Sequence, residues 1–155
     1  MAGKVFRSHV QISRLQARQI VDTAFSEARN TDMEPLTVVV LDMGGNIIAA
    51  EREDGCAPLR FAVARGKAYA ALGNGIASRI VGERNQQRPA FLASVAAAAE
   101  GTFVPVPGGV VILDENDRVI GAAGVSGASS DEDEDEQAAL VGIRKAGFQA
   151  GLAPD

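Results

Sequence analysis

The run Leu36-Thr37-Val38-Val39-Val40-Leu41, the turn Asp42-Met43-Gly44-Gly45-Asn46 and the return Ile47-Ile48-Ala49-Ala50 decide the fold class of this chain. Two short apolar segments, the first rich in β-branched valine, flank residues suited to a tight turn, which predicts a β-hairpin. Both arms are almost continuously apolar, which predicts strands in the middle of a sheet covered on both faces. A second hairpin follows the same pattern: Val104-Pro105-Val106-Pro107-Gly108-Gly109 leads into a strand over 110–113, a turn over 114–117 and a strand over 119–125.

Outward from the hairpins the period changes from two to 3.6. Ser13 and Gln16 have capping-box spacing, and behind them Leu15, Ile20, Ala24 and Ala28 trace an apolar stripe ending near Asn30, which predicts the first helix. Pro58 suits a helix start, and Phe61, Ala62, Arg65, Ala68, Tyr69 and Leu72 recur at spacings of three and four up to the breaker Gly73-Asn74-Gly75. Two shorter helices are predicted over 76–87 and 90–100, separated by Pro89. Ser129 or Ser130 is positioned to cap a last helix whose first turns are acidic and whose far end carries Arg144 and Lys145, the polarity the helix dipole favours. The order helix, hairpin, helices, hairpin, helix predicts an α/β (α+β) fold in which helices flank an antiparallel sheet, as one domain over 1–155.

At 155 residues one core is expected, and with aromatics at only 5% that core must be built from Ala, Val, Leu and Ile. The formal charge of -5 leaves no broad positive field, so nucleic acid is excluded as a partner. Cys56 is the only cysteine, which excludes an intrachain disulfide and a multi-cysteine zinc site and suits a reducing compartment. The first eleven residues lack the apolar run of a signal peptide, and no stretch has the length to cross a bilayer, so no membrane partner and a cytoplasmic location are expected.

Two stretches, taken together, resemble the GlcG/HbpS-like (haem-binding and haem-degrading-like) family. The first is Leu41-Asp42-Met43-Gly44-Gly45-Asn46 with Arg52-Glu53-Asp54-Gly55 and Ala64-Arg65-Gly66-Lys67-Ala68; the second is Pro107-Gly108-Gly109 with Gly121-Ala122-Ala123-Gly124-Val125-Ser126-Gly127-Ala128. The resemblance implies a profilin-like sheet of about five antiparallel strands, a homo-oligomer, and a link to haem binding or haem and iron handling; it also covers members beside glycolate or diol catabolism. Two departures stand out: Val111 where a proline is common, and an unusually long acidic run at 131–136.

Several residues bear the chemistry, each beside a plainer reading. His9 is the only imidazole, and the resemblance makes it the candidate axial ligand of haem; the plainer reading is an exposed terminal side chain. Arg52 and Lys67 are the candidate anion-binding pair, for an organic carboxylate or a haem propionate, with Asp42 or Asp54 as acid or base; alternatively Asp42 holds its turn and the others form ion pairs. Gly108, Gly109 and Ser126 are candidate ligand-binding positions, since adjacent backbone N–H groups cradle anions, although tight turns explain the same glycines. The run 131–136 reads as a solvated helix start or as a chelator of a hard cation, and Met43 and Cys56 as soft ligands. A serine triad would need His9 as its base and a structural zinc site lacks ligands, which sets both aside. Two functions remain open: a haem-binding or haem-handling oligomer, and a small-molecule enzyme or binding protein for a carboxylate or hydroxy acid held in an Arg/Lys-lined cleft.

Overall fold

Val38 and Val40 project to one side of their strand and Val39 and Leu41 to the other, and all four are buried, so both faces of the sheet need a cover. The computed structural model describes residues 3–128 and 132–155, Glu132 by its backbone alone. In chain order its elements are α1 (Arg14–Asn30), β1 (Thr37–Asp42), β2 (Ile47–Arg52), α2 (Leu59–Asn74), α3 (Ser78–Arg84), α4 (Pro89–Ala98), β3 (Gly109–Leu113), β4 (Val119–Ser126), α5 (Glu132–Lys145) and β5 (Gln149–Gly151). The strands form one antiparallel sheet in the order β2-β1-β4-β3-β5.

Helices α1 and α5 cover one face. Ala17, Ile20, Val21 and Ala24 of the first and Ala138, Ala139 and Ile143 of the second pack on Val38, Val40, Val110, Ile112 and Val125. Helix α2 covers the other face, where Ala64, Ala68 and Ala71 meet Val39, Leu41, Val111 and Ala122. The small residues of α2, β3 and β4 have a steric reason: a Cβ at Gly124 would strike the Ala64 carbonyl oxygen, and one at Gly109 the Lys67 carbonyl oxygen. The helix backbone therefore lies nearly against the sheet, closer than larger side chains would allow.

Local chemistry sets the ends of these elements. Ser13 Oγ accepts the Gln16 N–H at 3.0 Å while Gln16 Oε1 accepts the Ser13 N–H at 2.9 Å, the reciprocal cap expected of that spacing. Helix α2 stops at Gly75, which takes a left-handed φ of 73°.

The fold differs from the sequence expectation in three places. Strand β2 is an edge strand rather than a central one, because β1 takes β4 as its second neighbour and leaves the hairpin at the margin of the sheet; Ile47, Ala50 and Arg52 are exposed. Pro89 stands at the break between α3 and α4 as expected but belongs to α4 as its first residue, since its missing N–H costs nothing in a first turn. The three-residue β5 was not expected from the residues, and the Ser129 or Ser130 cap lies outside the described residues.

Candidate functional site

The residues singled out in the sequence do not converge on one cavity; they fall in three places. The first lies where the segment before α1 passes the β1–β2 turn. It is a cleft of about 430 Å³ lined by His9, Arg14, Asp42, Met43 and Gly44, with Val10, Ile12, Ile48 and Ile120 as apolar wall. Ile12 and Ile120 are buried beneath it, whereas His9 and Met43 are exposed. Asp42 carries the turn: its Oδ1 accepts the N–H of Gly44 at 2.9 Å and of Asn46 at 3.0 Å, an Asx-type turn that fixes where Met43 sits.

Arg52 and Asp54 line a second, shallow depression of about 510 Å³ with Arg18, Arg29, Glu51 and Glu53. Arg18 pairs with Glu51 at 3.4 Å and Arg29 with Glu53 at 3.2 Å, so charge there is mixed rather than uniformly positive. The Arg18–Glu51 pair is exposed, and screened pairs of that kind contribute little to stability.

Lys67, on the buried side of α2, lies in the third place. Its Nζ donates to the Val125 carbonyl at 3.0 Å and sits 3.0 Å from Asp135 Oδ2, with both side chains buried. Asp135 Oδ1 also accepts the Ala128 N–H at 3.1 Å, so one carboxylate joins α5 to α2 and to the end of β4. Burial pushes the Asp135 carboxyl above its ordinary range, against the opposing pull of Lys67 and the Ala128 N–H. Gly108 and Gly109 lie beside Lys67, where a Cβ on Gly108 would meet its side chain. Ser78 Oγ accepts the Gly109 N–H at 2.8 Å, pinning that backbone amide. Ser126 is wholly buried, and its hydroxyl is the one buried side-chain polar atom among the described residues without a hydrogen-bond partner. A recess of about 160 Å³ lined by Arg60, Val63, Lys67, Val106, Pro107, Ala128 and Asp135 opens next to this group.

The acidic run is not simply solvated. Besides Asp135, Glu136 is buried and accepts from Arg79 Nε at 3.1 Å, so its inner carboxylates hold α5 down; Asp131 lies outside the described residues. Among the described residues no three His, Cys, Asp or Glu side chains are grouped to hold a metal ion. Cys56 is buried with its sulfur 3.3 Å from Thr37 Oγ1. No helix among the described residues is long and apolar enough to cross a membrane. Arg14, Arg60 and the pairing role of Asp135 escaped the sequence reading. Asp135, Ala138, Ala139 and Ile143 share one helical face, and that spacing was the available sign of an inward carboxylate.

Comparison with known proteins places this geometry among relatives. A family model described as "Haem degrading protein HbpS-like" matches residues 12–144. The crystal structure of a PduOC–heme complex superposes with a TM-score of 0.80 at 22% identity, covering 92% of this chain and 100% of that one. A double mutant of Streptomyces reticuli HbpS gives a TM-score of 0.75 at 23% identity, covering 93% and 94%. Klebsiella pneumoniae protein ORFY gives 0.75 at 20% identity, covering 92% and 97%. No curated protein matches the chain at the level of sequence.

Proposed function

The chain belongs to the HbpS-like family of haem-degrading proteins, and from that membership we propose that it binds haem in the cleft between the segment before α1 and the β1–β2 turn, with His9 as axial ligand. One observation carries the reading: the only imidazole of the chain lines a cleft that also has an apolar wall, a cation and a thioether. The donor set suits the group. His9 would ligate the iron, Met43 would offer a soft second ligand, Ile12, Ile48 and Ile120 would supply the apolar lining, and Arg14 would be the propionate partner. Bound haem would supply the redox and oxygen chemistry, and the chain's part is to hold and orient it. Arg52 and Lys67 do not line this cleft.

Titration with hemin tests the proposal. A saturable Soret shift is expected, weakened at least tenfold by His9→Ala and less by Arg14→Glu. No shift with the parent protein overturns haem binding, and an unchanged shift with His9→Ala overturns the ligand assignment.

A second reading has its own observation, the recess where Arg60 and Lys67 approach Asp135. At about 160 Å³ it is too small for a porphyrin but admits a two- or three-carbon hydroxy acid. A melting temperature that climbs with glycolate concentration and not with hemin supports this reading, because only a ligand of the native state stabilises by mass action.

A further inference from the structure

The Lys67–Asp135 pair is buried, yet it borders a recess. Arg60, Val63 and Lys67 recur at spacings of three and four along α2, which puts them on one face of the helix. All three line that recess of about 160 Å³, together with Asp135 and the apolar Val106 and Pro107. Nζ of Lys67 stands 3.0 Å from Asp135 Oδ2, the reach at which a nucleophile and an acid–base partner exchange a proton. Gly108 has no side chain to crowd the amine, since a Cβ there would stand 3.0 Å from Nζ. Arg60 is exposed at the same recess and adds a guanidinium, the group best shaped to grip a carboxylate. An amine, a carboxyl in hydrogen-bond reach of it and a guanidinium, around so small a volume, match a short acid that also carries a carbonyl.

We propose that Lys67 is a nucleophile that forms an imine with a 2-oxo acid of two or three carbons whose carboxylate Arg60 binds, an inference that rests on the recess being a small-ligand site. A hydroxy acid would meet the amine only through hydrogen bonds, whereas the carbonyl carbon of an oxo acid is open to attack. The lone pair of the neutral amine forms a C–N bond to that carbon, and the carbonyl π pair moves onto oxygen. Both amine protons end on this oxygen, which leaves as water, so no oxidant or reductant is consumed. Asp135 relays the protons and is returned unchanged. Its burial favours the form that holds a proton and lends it to the departing oxygen. Once protonated, the imine nitrogen keeps a single N–H, and Asp135 is the acceptor in place for it.

Reductive trapping with pyruvate tests the inference, because cyanoborohydride turns an imine into a stable secondary amine whose position peptide mass spectrometry identifies. The chain's other lysines, Lys4 and Lys145, are exposed and serve as controls within the same molecule. Lys67 is expected to take the label saturably, at pyruvate concentrations that leave Lys4 and Lys145 unmodified. Arg60→Gln should raise the half-saturating concentration about tenfold, since a charge-assisted contact with the carboxylate is lost. Labelling of Lys67 no greater than that of the exposed lysines overturns the imine, and a half-saturation unmoved by Arg60→Gln overturns the carboxylate assignment. Melting temperature, measured without the reductant, separates this inference from the reading beneath it. A midpoint that climbs with pyruvate or glycolate while Lys67 stays unlabelled overturns the imine and supports the recess as a binding site; a midpoint indifferent to both, with no label, overturns the recess as well.

Discussion

The ammonium of Lys67 lies 3.0 Å from Asp135 Oδ2, two buried groups 68 residues apart that fasten α2, on one face of the sheet, to the start of α5, on the other. Removing one partner of such a pair leaves a charge or its proton in the interior and costs about 3–5 kcal/mol, whereas replacing both by apolar groups is far less costly. Lys67→Met should therefore lower the unfolding free energy in urea by that amount, and Lys67→Met with Asp135→Leu should recover at least half of it. A double variant no more stable than the single one would contradict the clamp.

The same carboxyl gives a pH dependence of definite sign. Burial holds the Asp135 pKa above its value in the unfolded chain, so between the ordinary carboxyl range and that raised value the folded state binds more protons. The contribution of Asp135 to stability then falls as pH rises through this window and is fully lost above it. Asp135→Asn has no such proton to lose. The unfolding free energy of the parent minus that of the variant should grow more favourable as pH is lowered from 7 toward 4, and a flat difference would contradict the shift.

Close backbone approach makes two glycines intolerant. A methyl at Gly109 would strike the Lys67 carbonyl oxygen and one at Gly124 the Ala64 carbonyl oxygen, and helix backbone cannot swing aside as a flexible side chain can. Gly109→Ala and Gly124→Ala should each cost at least about 1–3 kcal/mol, the usual penalty of overpacking. Thermal melts check this, with Gly73→Ala as control, since a Cβ there meets nothing within 4 Å.

How far the sequence disclosed the molecule follows from which residues act locally. Ser13 with Gln16, the α2 stop at Gly75 and both hairpin turns rest on contacts a few residues apart, so their spacing alone announced them. The edge position of β2 depends on β1 choosing β4 as neighbour, a pairing across some 80 residues that no local pattern encodes. For the same reason the sequence left open whether Lys67 grips an anion or makes a structural ion pair, since its partner Asp135 lies 68 residues away in a charge run whose composition suggested solvent. The candidate cleft was half legible: His9 stood out by being the only imidazole, while Arg14 gave no sign until the fold brought it to the same lining as the β1–β2 turn.

The reciprocal cap of α1 stands next to that cleft and ties its geometry to helix stability. Ser13→Ala removes the acceptor of the Gln16 N–H and should cost about 1 kcal/mol in chemical unfolding. Because Arg14 is the first residue of α1, fraying there should also weaken hemin binding modestly.

Asp42 separates a turn role from a proton-transfer role by the choice of substitution. Its Oδ1 accepts the N–H of Gly44 and of Asn46, beside the backbone bonds from the Asp42 N–H to the Asn46 carbonyl and from the Gly45 N–H to the Asp42 carbonyl. Asparagine keeps an acceptor oxygen in the same place, so Asp42→Asn should stay within about 1 kcal/mol of the parent; alanine strands those donors and should cost about 1–3 kcal/mol. Met43 is positioned by this turn, so hemin affinity should follow the same order, nearly unchanged with Asn and reduced with Ala. A carboxylate needed as proton acceptor would reverse the pattern for any turnover the protein supports: Asn would abolish it while leaving the fold and the hemin spectrum intact.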